Sequence, residues 1–345
     1  MKLAIFKVNQ LGDNVVFLPV VQALRKACPR WELFMITSPV AAELFAAAIP
    51  PERMLLMPTA EFNGAWKHPG TLLRLIARVR RERVDASLLA DDQGNVAHLL
   101  AFLGGGRTCV GIRPPFIRVP GGLTEIVPLQ PGLKVAQANW EIARALVRRC
   151  GGAEWAETPP APDLGHLGGS AAPVAGRIVI HAGASLAYKR WFPDRFAALA
   201  GRLAENFEVL WIEQPDTAGA ELPPSVQRVK PDSLGAFVRT LRTASLFIGN
   251  NSAPMNLASA LGCPSVILSG PSNPIWDPLW FPDRFLILRD TSLPCLPCDG
   301  LLRPAGSCRN EAAPLACMAR WSVAEVEARS REWIAKWDGI ATAKK

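Results

Sequence analysis

Two polar segments of the sequence follow predicted strands and carry the residue types that bind phosphate. The run 181–185 is rich in small residues, which let backbone N–H groups approach a phosphate, and Lys189 follows it with a positive charge. The run 249–256 joins a predicted strand to a predicted helix, whose free N–H groups and dipole favour an anion such as a diphosphate. Neither a Walker A motif nor G-x-G-x-x-G after a strand is present. Asn251 or Ser252 would serve equally well as an ordinary helix N-cap.

Two carboxylates stand at the ends of predicted strands. Asp13 lies between the first predicted strand and the first predicted helix, where spacing alone favours a capping role that complements the helix dipole. The alternative is a general base at the carboxyl end of that strand. Glu213 ends another predicted strand, where nucleotide-binding α/β folds often hold ribose hydroxyls, although a solvated strand end is the simpler interpretation.

Short runs with strand character alternate with helical runs in both halves of the chain. The predicted strands are Lys2–Val8, Leu33–Thr37, Arg53–Met57, Ala86–Ala90, Thr108–Gly111, Arg177–His181, Val209–Ile212, Leu246–Gly249 and Ser265–Leu268. The predicted helices are Asn14–Ala27, Val40–Ala48, Thr71–Arg83, Val96–Leu103, Pro193–Asn206, Leu234–Thr243, Ala253–Leu261 and Val323–Trp337. This alternation predicts α/β architecture with parallel sheets that helices cover on both faces.

The chain is long enough for two domains. Its 345 residues exceed the size at which a single core stops growing. Residues 157–176 are crowded with Pro, Gly and Ala and read as a linker between Rossmann-like domains at 1–156 and 177–320. Residues 321–345 form a C-terminal helix that could pack back on the first domain. Two doubly wound domains are expected to face each other across a cleft at the carboxyl ends of their strands.

Composition limits the class of protein and its partners. Hydrophobic residues make up 49% and charged residues 20% of the chain, which is a globular composition. No apolar run approaches the ~20 residues that cross a bilayer, and the N-terminus lacks the pattern of a signal peptide, so we expect a cytoplasmic protein. The formal charge of +8 favours anionic partners, or it serves solubility alone.

Four of the eight cysteines are clustered. Cys295, Cys298, Cys308 and Cys317 form C-x2-C-x9-C-x8-C, and a C-x-x-C pair with two further thiols suits a structural zinc or iron site. The alternatives are four reduced thiols in a loop or a redox-labile pair. The remaining cysteines are scattered in apolar or helical contexts and are expected to be reduced core residues.

Five segments in order resemble glycosyltransferase family 9, which contains the ADP-heptose:lipopolysaccharide heptosyltransferases. The segments are Lys7–Leu24; Asp91, Gln93 and Gly94; His181–Trp191; Glu213; and Gly249–Leu261 followed by Pro264, Gly270 and Pro271. The resemblance runs from Lys2 to about Met318. It implies a GT-B fold and an inverting glycosyltransferase that moves a sugar, heptose from ADP-heptose, to an acceptor of the lipopolysaccharide core type.

The resemblance also implies roles for single residues. Asp13 would be the general base, Lys189 with Ser185 would bind the donor phosphates, and Glu213 would hold the ribose. In the segment Gly249–Leu261, Asn251 would contact the donor sugar, Ser252 and Ala253 would meet the diphosphate through backbone N–H groups, and Met255 and Asn256 would line the donor site. Catalysis would need no metal cofactor. Some related protein heptosyltransferases hold iron with a cysteine cluster like the one at 295–317.

The sequence departs from the family pattern in the donor half. The usual D-[ST]-G-x-x-H becomes Asn251, Ser252, Ala253 and Asn256, which replaces a carboxylate by an amide and removes an imidazole. These changes leave the donor sugar open, although restoring Asp at 251 is expected to shift preference toward heptose. Two further functions stay open: a protein O-heptosyltransferase, and a nucleotide-sugar-binding protein without turnover.

Basic residues concentrate in the first half of the chain. Arg74, Arg78, Arg80, Arg81 and Arg83 fall on one predicted helix, and Arg107, Arg113 and Arg118 follow near later strands. Such a run is usually a solvated face. By the resemblance, it would dock an anionic glycolipid acceptor and hold the protein peripherally on the inner face of the inner membrane. Nucleic acid is an unlikely partner because no reader motif is present.

Overall fold

The computed structural model describes residues 1–119, 122–215, 217, 219–298 and 307–342, and side chains to residue 337. The chain forms two compact units, Met1–Asp163 and Leu164–Lys345. The boundary between them lies inside the predicted linker 157–176.

The first unit is a six-stranded parallel sheet with helices along its connections. Its strands are β1 (Lys2–Lys7), β2 (Glu32–Thr37), β3 (Met54–Leu56), β4 (Ala86–Leu89), β5 (Thr108–Gly111) and β6 (Glu125–Ile126). Its helices are α1 (Leu11–Ala27), α2 (Ala42–Phe45), α3 (Thr59–Gly64), α4 (Pro69–Glu82), α5 (Asn95–Gly104) and α6 (Val135–Arg149). The strand order is β3-β2-β1-β4-β5-β6.

The second unit repeats this plan with a sheet of order β12-β11-β10-β7-β8-β9, again parallel. Its strands are β7 (Arg177–His181), β8 (Glu208–Ile212), β9 (Val226–Val229), β10 (Leu246–Asn250), β11 (Ser265–Leu268) and β12 (Phe285–Leu288). Its helices are α7 (Pro193–Leu203), α8 (Leu234–Arg242), α9 (Ala253–Leu261), α10 (Ala316–Ala319) and α11 (Val323–Thr342).

Both sheets have the same topology, in which the chain starts in the middle and reverses direction after three strands. The reversal places β1 beside β4 in the first unit and β7 beside β10 in the second. In doubly wound sheets, ligands bind outside the carboxyl ends of the strands at this switch point. The fold therefore directs attention to the residues that follow these four strands.

The cores explain why the strands read as continuous apolar runs. Leu3 to Phe6 in β1 and all of β11 are buried, as expected for strands that helices cover on both sides. The second core contains Trp191 and Trp211, the two largest fully buried side chains of the described residues, together with Phe196. Each aromatic side chain removes a large apolar area from water, so these residues dominate the packing of that unit.

The predicted linker is tied to the folded units over much of its length. Asp163 exchanges hydrogen bonds with Gln22, at 2.6 and 2.9 Å. Leu164 and Leu167 are buried, and Arg242 donates to the carbonyl oxygen of Leu164 at 3.0 Å. The Pro- and Gly-rich composition thus marks the boundary between the units, but much of this segment is packed against them.

The C-terminal helix belongs to the second unit. Val326 and Ile334 of α11 are buried in the same core as Trp191, and α11 packs along α7. The expectation that residues 321–345 return to the first domain is not confirmed. Among the described helices, none is both long and apolar enough to span a membrane.

Several elements differ from the sequence-based prediction. The helix expected at Val40–Ala48 is a 3-10 turn, Pro39–Ala41, followed by the single turn α2. Prolines at 39, 50 and 51 leave little room for a longer helix. Helices α3 and α6 and strands β6, β9 and β12 had no counterpart in the prediction.

Candidate functional site

The switch point of the first unit is built around a buried lysine. Lys7, the last residue of β1, has no solvent exposure. Its ammonium group donates to Asp91 at 3.0 Å and to Asp92 at 2.9 Å, and both carboxylates follow β4. The neighbouring ends of β1 and β4 are thus joined by an ion pair inside the protein.

Burial and charge oppose each other in this cluster. Burial alone would lower the pKa of Lys7, but the carboxylates of Asp91, Asp92 and Asp13 outweigh it and raise the pKa above its ordinary value. Burial raises the pKa of Asp91 to about 6, although the positive charge of Lys7 acts in the opposite direction. The second carboxylate oxygen of Asp91, Oδ2, is buried and accepts no hydrogen bond from the residues that the structure describes.

A polar network extends from this ion pair. Gln93 accepts a hydrogen bond from the backbone N–H of Val8 and donates to Asn9 at 2.6 Å. Asn9 in turn donates to Asp92 at 2.6 Å. The side chains that follow β1 and β4 therefore hold one another in place. Asp91 and Gln93, which resembled a family feature in the sequence, lie in this network.

Asp13 lies in the first turn of α1, directly beyond this network. The N-cap residue of α1 is Gln10, so Asp13 is not the N-cap that its spacing favoured. Its carboxylate is close enough to Lys7 to raise the pKa of that lysine. A negative charge in the first turn also complements the helix dipole.

The three arginines suggested for the acceptor do not lie together. Arg107 precedes β5, and its backbone N–H donates to Asp85 at the amino end of β4, so Arg107 stands at the edge of the sheet away from Asp13. Arg113 and Arg118 follow β5 at the carboxyl edge and are exposed. Arg113 donates to the carbonyl oxygen of Val119 at 2.8 Å.

In the second unit, Asn250 ties the switch point together. This fully buried residue ends β10, and its amide donates to the carbonyl oxygens of Ala182 and Gly183 at 2.8 and 3.3 Å. Its side-chain oxygen accepts from the backbone N–H of Trp191 at 2.9 Å. Asn250 therefore fixes both ends of the loop 182–191, which carries the predicted phosphate ligand Lys189.

The N-terminus of α9 begins beside this loop. Ser252 is the N-cap residue, but in the described structure its hydroxyl donates to the carbonyl oxygen of Asn250 at 3.3 Å and makes no capping bond. Ser252 and Ala253 are partly exposed, whereas Met255 and Asn256 are buried on the first turns. α9 is nine residues long, and its free N–H groups and dipole point out of the carboxyl edge of the sheet, an arrangement that favours anions.

The other predicted donor residues lie at the same edge. Ser185 is exposed on the loop after β7. Glu213 follows β8, and one of its oxygens accepts from Arg228 at 3.0 Å. Asn251, directly after β10, is buried and donates to Ser269 and Asp277. The predicted donor residues therefore follow β10, β7 and β8, which are neighbouring strands of one sheet.

The four clustered cysteines line one cavity, together with Tyr188 and Leu315. The backbone N–H of Leu315 donates to the sulfur of Cys308 at 3.3 Å. Burial is the largest cause that raises the pKa of Cys298, and it raises the pKa of Cys317 to about 11. Within the described ranges, no group of three or more His, Cys, Asp or Glu side chains has the arrangement that holds a metal ion. The predicted zinc or iron site therefore stays a prediction.

The strand order and the polar edges of both sheets define the GT-B class of two-domain α/β proteins. The chain is similar to three solved structures of this class: Escherichia coli ADP-heptose lipopolysaccharide heptosyltransferase II, E. coli heptosyltransferase WaaC with ADP-2-deoxy-2-fluoro heptose, and the iron-containing dodecameric glycosyltransferase TibC of enterotoxigenic E. coli. For heptosyltransferase II the identity is 16%, the TM-score 0.68, and the match covers 97% of this chain and 99% of that one. For WaaC the identity is 16%, the TM-score 0.67, and the match covers 96% of this chain and 99% of that one. For TibC the identity is 17%, the TM-score 0.58, and the match covers 97% of this chain and 76% of that one. Identities this low show the fold.

A family model matches part of the sequence, and that part lies in the second unit. Residues 170–301 match the model of glycosyltransferase family 9, the heptosyltransferases. No curated protein matches the sequence. The comparison thus places a region that matches the glycosyltransferase family 9 model in the second unit.

Three site features were missing from the sequence-based prediction. Lys7 was read as part of a strand, because an apolar run with one lysine gives no sign that the ammonium group is buried. Asn250 was read as part of a loop between a strand and a helix. Asp277 and Arg289, which flank Asn251, lie 26 and more residues along the chain from it, so only the fold brings them together.

The raised pKa of Asp91 predicts a specific pH dependence of stability. A carboxyl group whose pKa is higher in the folded state stabilises the protein while it is protonated, and this contribution is lost as the pH rises through the folded value. The window runs from the ordinary pKa near 4 to about 6. Relative to Asp91→Asn, the free energy of unfolding of the wild type should fall by roughly 2 kcal/mol between pH 4 and pH 7.

Urea denaturation of both proteins across this range measures the difference. Asp92→Asn is the matched control, because it removes the other carboxylate on Lys7 but keeps Asp91 buried, which is the largest cause of the shift. Parallel stability curves for wild type and Asp91→Asn would contradict the assignment.

Proposed function

We propose that the protein transfers heptose from ADP-heptose to an acceptor hydroxyl of the lipopolysaccharide core type, with inversion at the anomeric carbon. The observation that carries the proposal is the switch point of the second unit. There Asn250 ties the Lys189 loop to the strand that leads into α9, so a cationic side chain and a helix N-terminus share one sheet edge. The solved structure of WaaC, which is similar in fold, contains an ADP-heptose analogue.

The donor half supplies the groups that a nucleoside diphosphate sugar needs. Lys189 would pair with the diphosphate as a point charge, and the N–H groups at Ser252 and Ala253 would bind its oxygens. Both interactions become stronger as negative charge builds on the departing nucleotide, so they lower the barrier without a metal ion. Glu213 would accept hydrogen bonds from the ribose hydroxyls, and Ser185 would assist at the phosphates.

The acceptor half supplies the base. Asp13 would remove the proton from the acceptor hydroxyl as that oxygen attacks the anomeric carbon. The buried cation of Lys7 and the dipole of α1 both favour negative charge at this position. Arg113 and Arg118 follow β5 at the same sheet edge and would attract the phosphates of an anionic glycolipid. Arg107, at the opposite edge, has no place in this proposal.

The test is calorimetric titration of ADP-heptose and ADP into wild type and Lys189→Ala. Because Lys189 is assigned to the diphosphate, its removal should weaken both ligands by about ten-fold or more, as expected for the loss of a charged hydrogen bond. Lys230→Ala, in the same unit but outside the loop, is the control and should bind as wild type does.

The variant Asp13→Ala completes the experiment, because it should change turnover and leave donor affinity unchanged. It should keep the wild-type affinity for ADP-heptose and lose turnover by at least a hundred-fold, since general-base catalysis contributes about that much. Equal affinities in Lys189→Ala and wild type would refute the phosphate assignment. Full turnover in Asp13→Ala would refute the base, and binding without turnover in wild type would identify a nucleotide-sugar-binding protein.

We further propose that helix α4 and the turn Ala65–Lys67 before it dock the protein on an anionic membrane surface. Trp66 and Leu73 are 63% and 65% exposed, which is unusual for such large apolar side chains. Lys67, whose ammonium group lies 5.2 Å from the Trp66 ring, and Arg74 and Arg81 are exposed around them. Apolar anchors surrounded by cations are typical of surfaces that bind the headgroup region of anionic bilayers.

Sedimentation with vesicles tests this surface. Wild type should bind vesicles that contain phosphatidylglycerol, bind phosphatidylcholine vesicles much less, and dissociate as salt is added. The double variant Trp66→Ala/Leu73→Ala should lose most of the binding. Ile126→Ala, which removes another exposed apolar side chain of the same unit, should not. Equal binding by the double variant and wild type would contradict the proposal.

The cysteine cavity is proposed as a structural metal site that takes no part in the sugar chemistry. A set of four thiols suits zinc or iron, and the metal would displace the protons that the raised pKa values keep on Cys298 and Cys317.

Elemental analysis of protein purified under reducing conditions should find about one equivalent of metal per chain. Cys298→Ser should lose it, and Cys150→Ser should keep it. Metal-free wild type would refute the site.

A further inference from the structure

Three neighbouring strands of the second unit end in polar residues that meet around one carboxylate. Asn251 follows β10, Ser269 follows β11 and Arg289 follows β12. Asp277, from the segment between β11 and β12, lies among them. The cluster therefore joins the carboxyl ends of half of the sheet, on the side of β10 away from the Lys189 loop.

The contacts fix the carboxylate of Asp277 firmly. Arg289 donates to its two oxygens at 2.9 and 2.5 Å, in the paired geometry that guanidinium and carboxylate groups favour. Both side chains are only 14% exposed. Arg289 also donates to the hydroxyl oxygen of Ser269 at 2.9 Å. The charge of Asp277 is thus held in place with little access to water.

This arrangement decides which way the amide of Asn251 faces. Its Nδ2 donates to Ser269 at 3.2 Å and to Asp277 at 3.3 Å. The reversed amide would place its carbonyl oxygen against a carboxylate oxygen at that distance and would lose the hydrogen bond to Asp277, because two acceptors cannot pair. The carbonyl oxygen, Oδ1, is thereby directed away from Ser269 and Asp277.

We propose that Asp277 is a positioning residue for donor recognition, which holds Asn251 so that its carbonyl oxygen accepts a hydrogen bond from a hydroxyl of the donor sugar. This inference rests on the proposed donor site at the carboxyl edge of the second sheet. An amide held in this way offers the sugar only an acceptor, as a carboxylate would. The negative charge lies on Asp277, which contacts the amide nitrogen of Asn251 and forms an ion pair with Arg289.

The proposal reverses an expectation drawn from the sequence. Restoring Asp at position 251 was expected to favour heptose. In the structure, that carboxylate would stand about 3.3 Å from the oxygen of Asp277. Like charges this close resist joint ionisation, so the substitution should harm the site unless Asp277 loses its charge at the same time.

The experiment compares Asn251→Asp, Asp277→Asn and the double variant Asn251→Asp/Asp277→Asn with wild type. In thermal denaturation, Asn251→Asp should lower the melting temperature by about 5 °C, and the double variant should recover most of this loss. Glu208→Gln, which weakens the Arg177–Glu208 ion pair at the other edge of the same unit, is the matched control. Combined with Asn251→Asp, it should give no recovery.

Calorimetry with ADP-heptose and ADP supplies the readout that a purely structural role would not move. Asn251→Asp and Asp277→Asn should each weaken ADP-heptose by about ten-fold and leave ADP unchanged, because only the sugar contact is altered. The double variant should return to within about three-fold of wild type, since it again presents one fixed acceptor.

Each other result overturns the proposal in a distinct way. Full stability of Asn251→Asp would show that the amide does not face Asp277. Equal losses for ADP and ADP-heptose, or no loss for either, would remove the sugar contact while the proposed donor site stands. Wild type that binds neither ligand would refute the donor site and the sugar contact together, and the melting temperatures would still decide the amide orientation.

Discussion

A lysine ammonium group without access to water sets the strongest constraint on the first unit. An isolated buried cation would cost many kcal/mol, so Lys7 can be charged only where carboxylates reach it. β1 brings the cation and β4 brings Asp91 and Asp92, which means that the ion pair forms only when these strands are neighbours. The requirement for charge balance therefore selects the same pairing that creates the switch point, and the polar network around Asn9 and Gln93 follows from it.

In the second unit, the residues at the switch point are linked without an ion pair. Asn250 spans from β10 to the loop after β7 with three hydrogen bonds to backbone atoms. Because these partners are backbone groups, the loop can vary in side chains while its path is kept. The chemistry of each unit thus lies in residues attached to a shared scaffold: a carboxylate in the first turn of α1 in one unit, and a cation with a helix N-terminus in the other.

Much of the fold could be predicted from the sequence, because buried parallel strands give short apolar runs that stand out between helices. Strands β5, β7 and β11 and helix α9 had the predicted bounds. Strands β6 and β9 were missed because they lack such a run: β9 contains exposed polar residues, and β6 is two residues long. Helix α6 is strongly amphipathic and could have been found by its periodicity.

The candidate site could be predicted only where local sequence carries the signal. The segments around Lys189 and Ser252 are recognisable from small residues next to a strand or a helix. Lys7, Asn250 and Asp277 act through partners that are 12 to 85 residues away, so their roles depend on strand order. Arg107 shows the opposite error, since nearness in sequence to Arg113 concealed that a strand separates them and carries them to opposite edges.

The tie made by Asn250 has a consequence for the electrostatic potential at the second switch point. An aspartate at this position could accept the N–H of Trp191, but it would add a negative charge beside the place where an anion is expected, and it could not donate to the carbonyl oxygens of Ala182 and Gly183. The amide makes all three bonds and is neutral at every pH at which the unit is folded. The residue that holds the loop therefore adds no charge at this edge, and the potential there depends on Lys189, on the neighbouring charged side chains and on the dipole of α9.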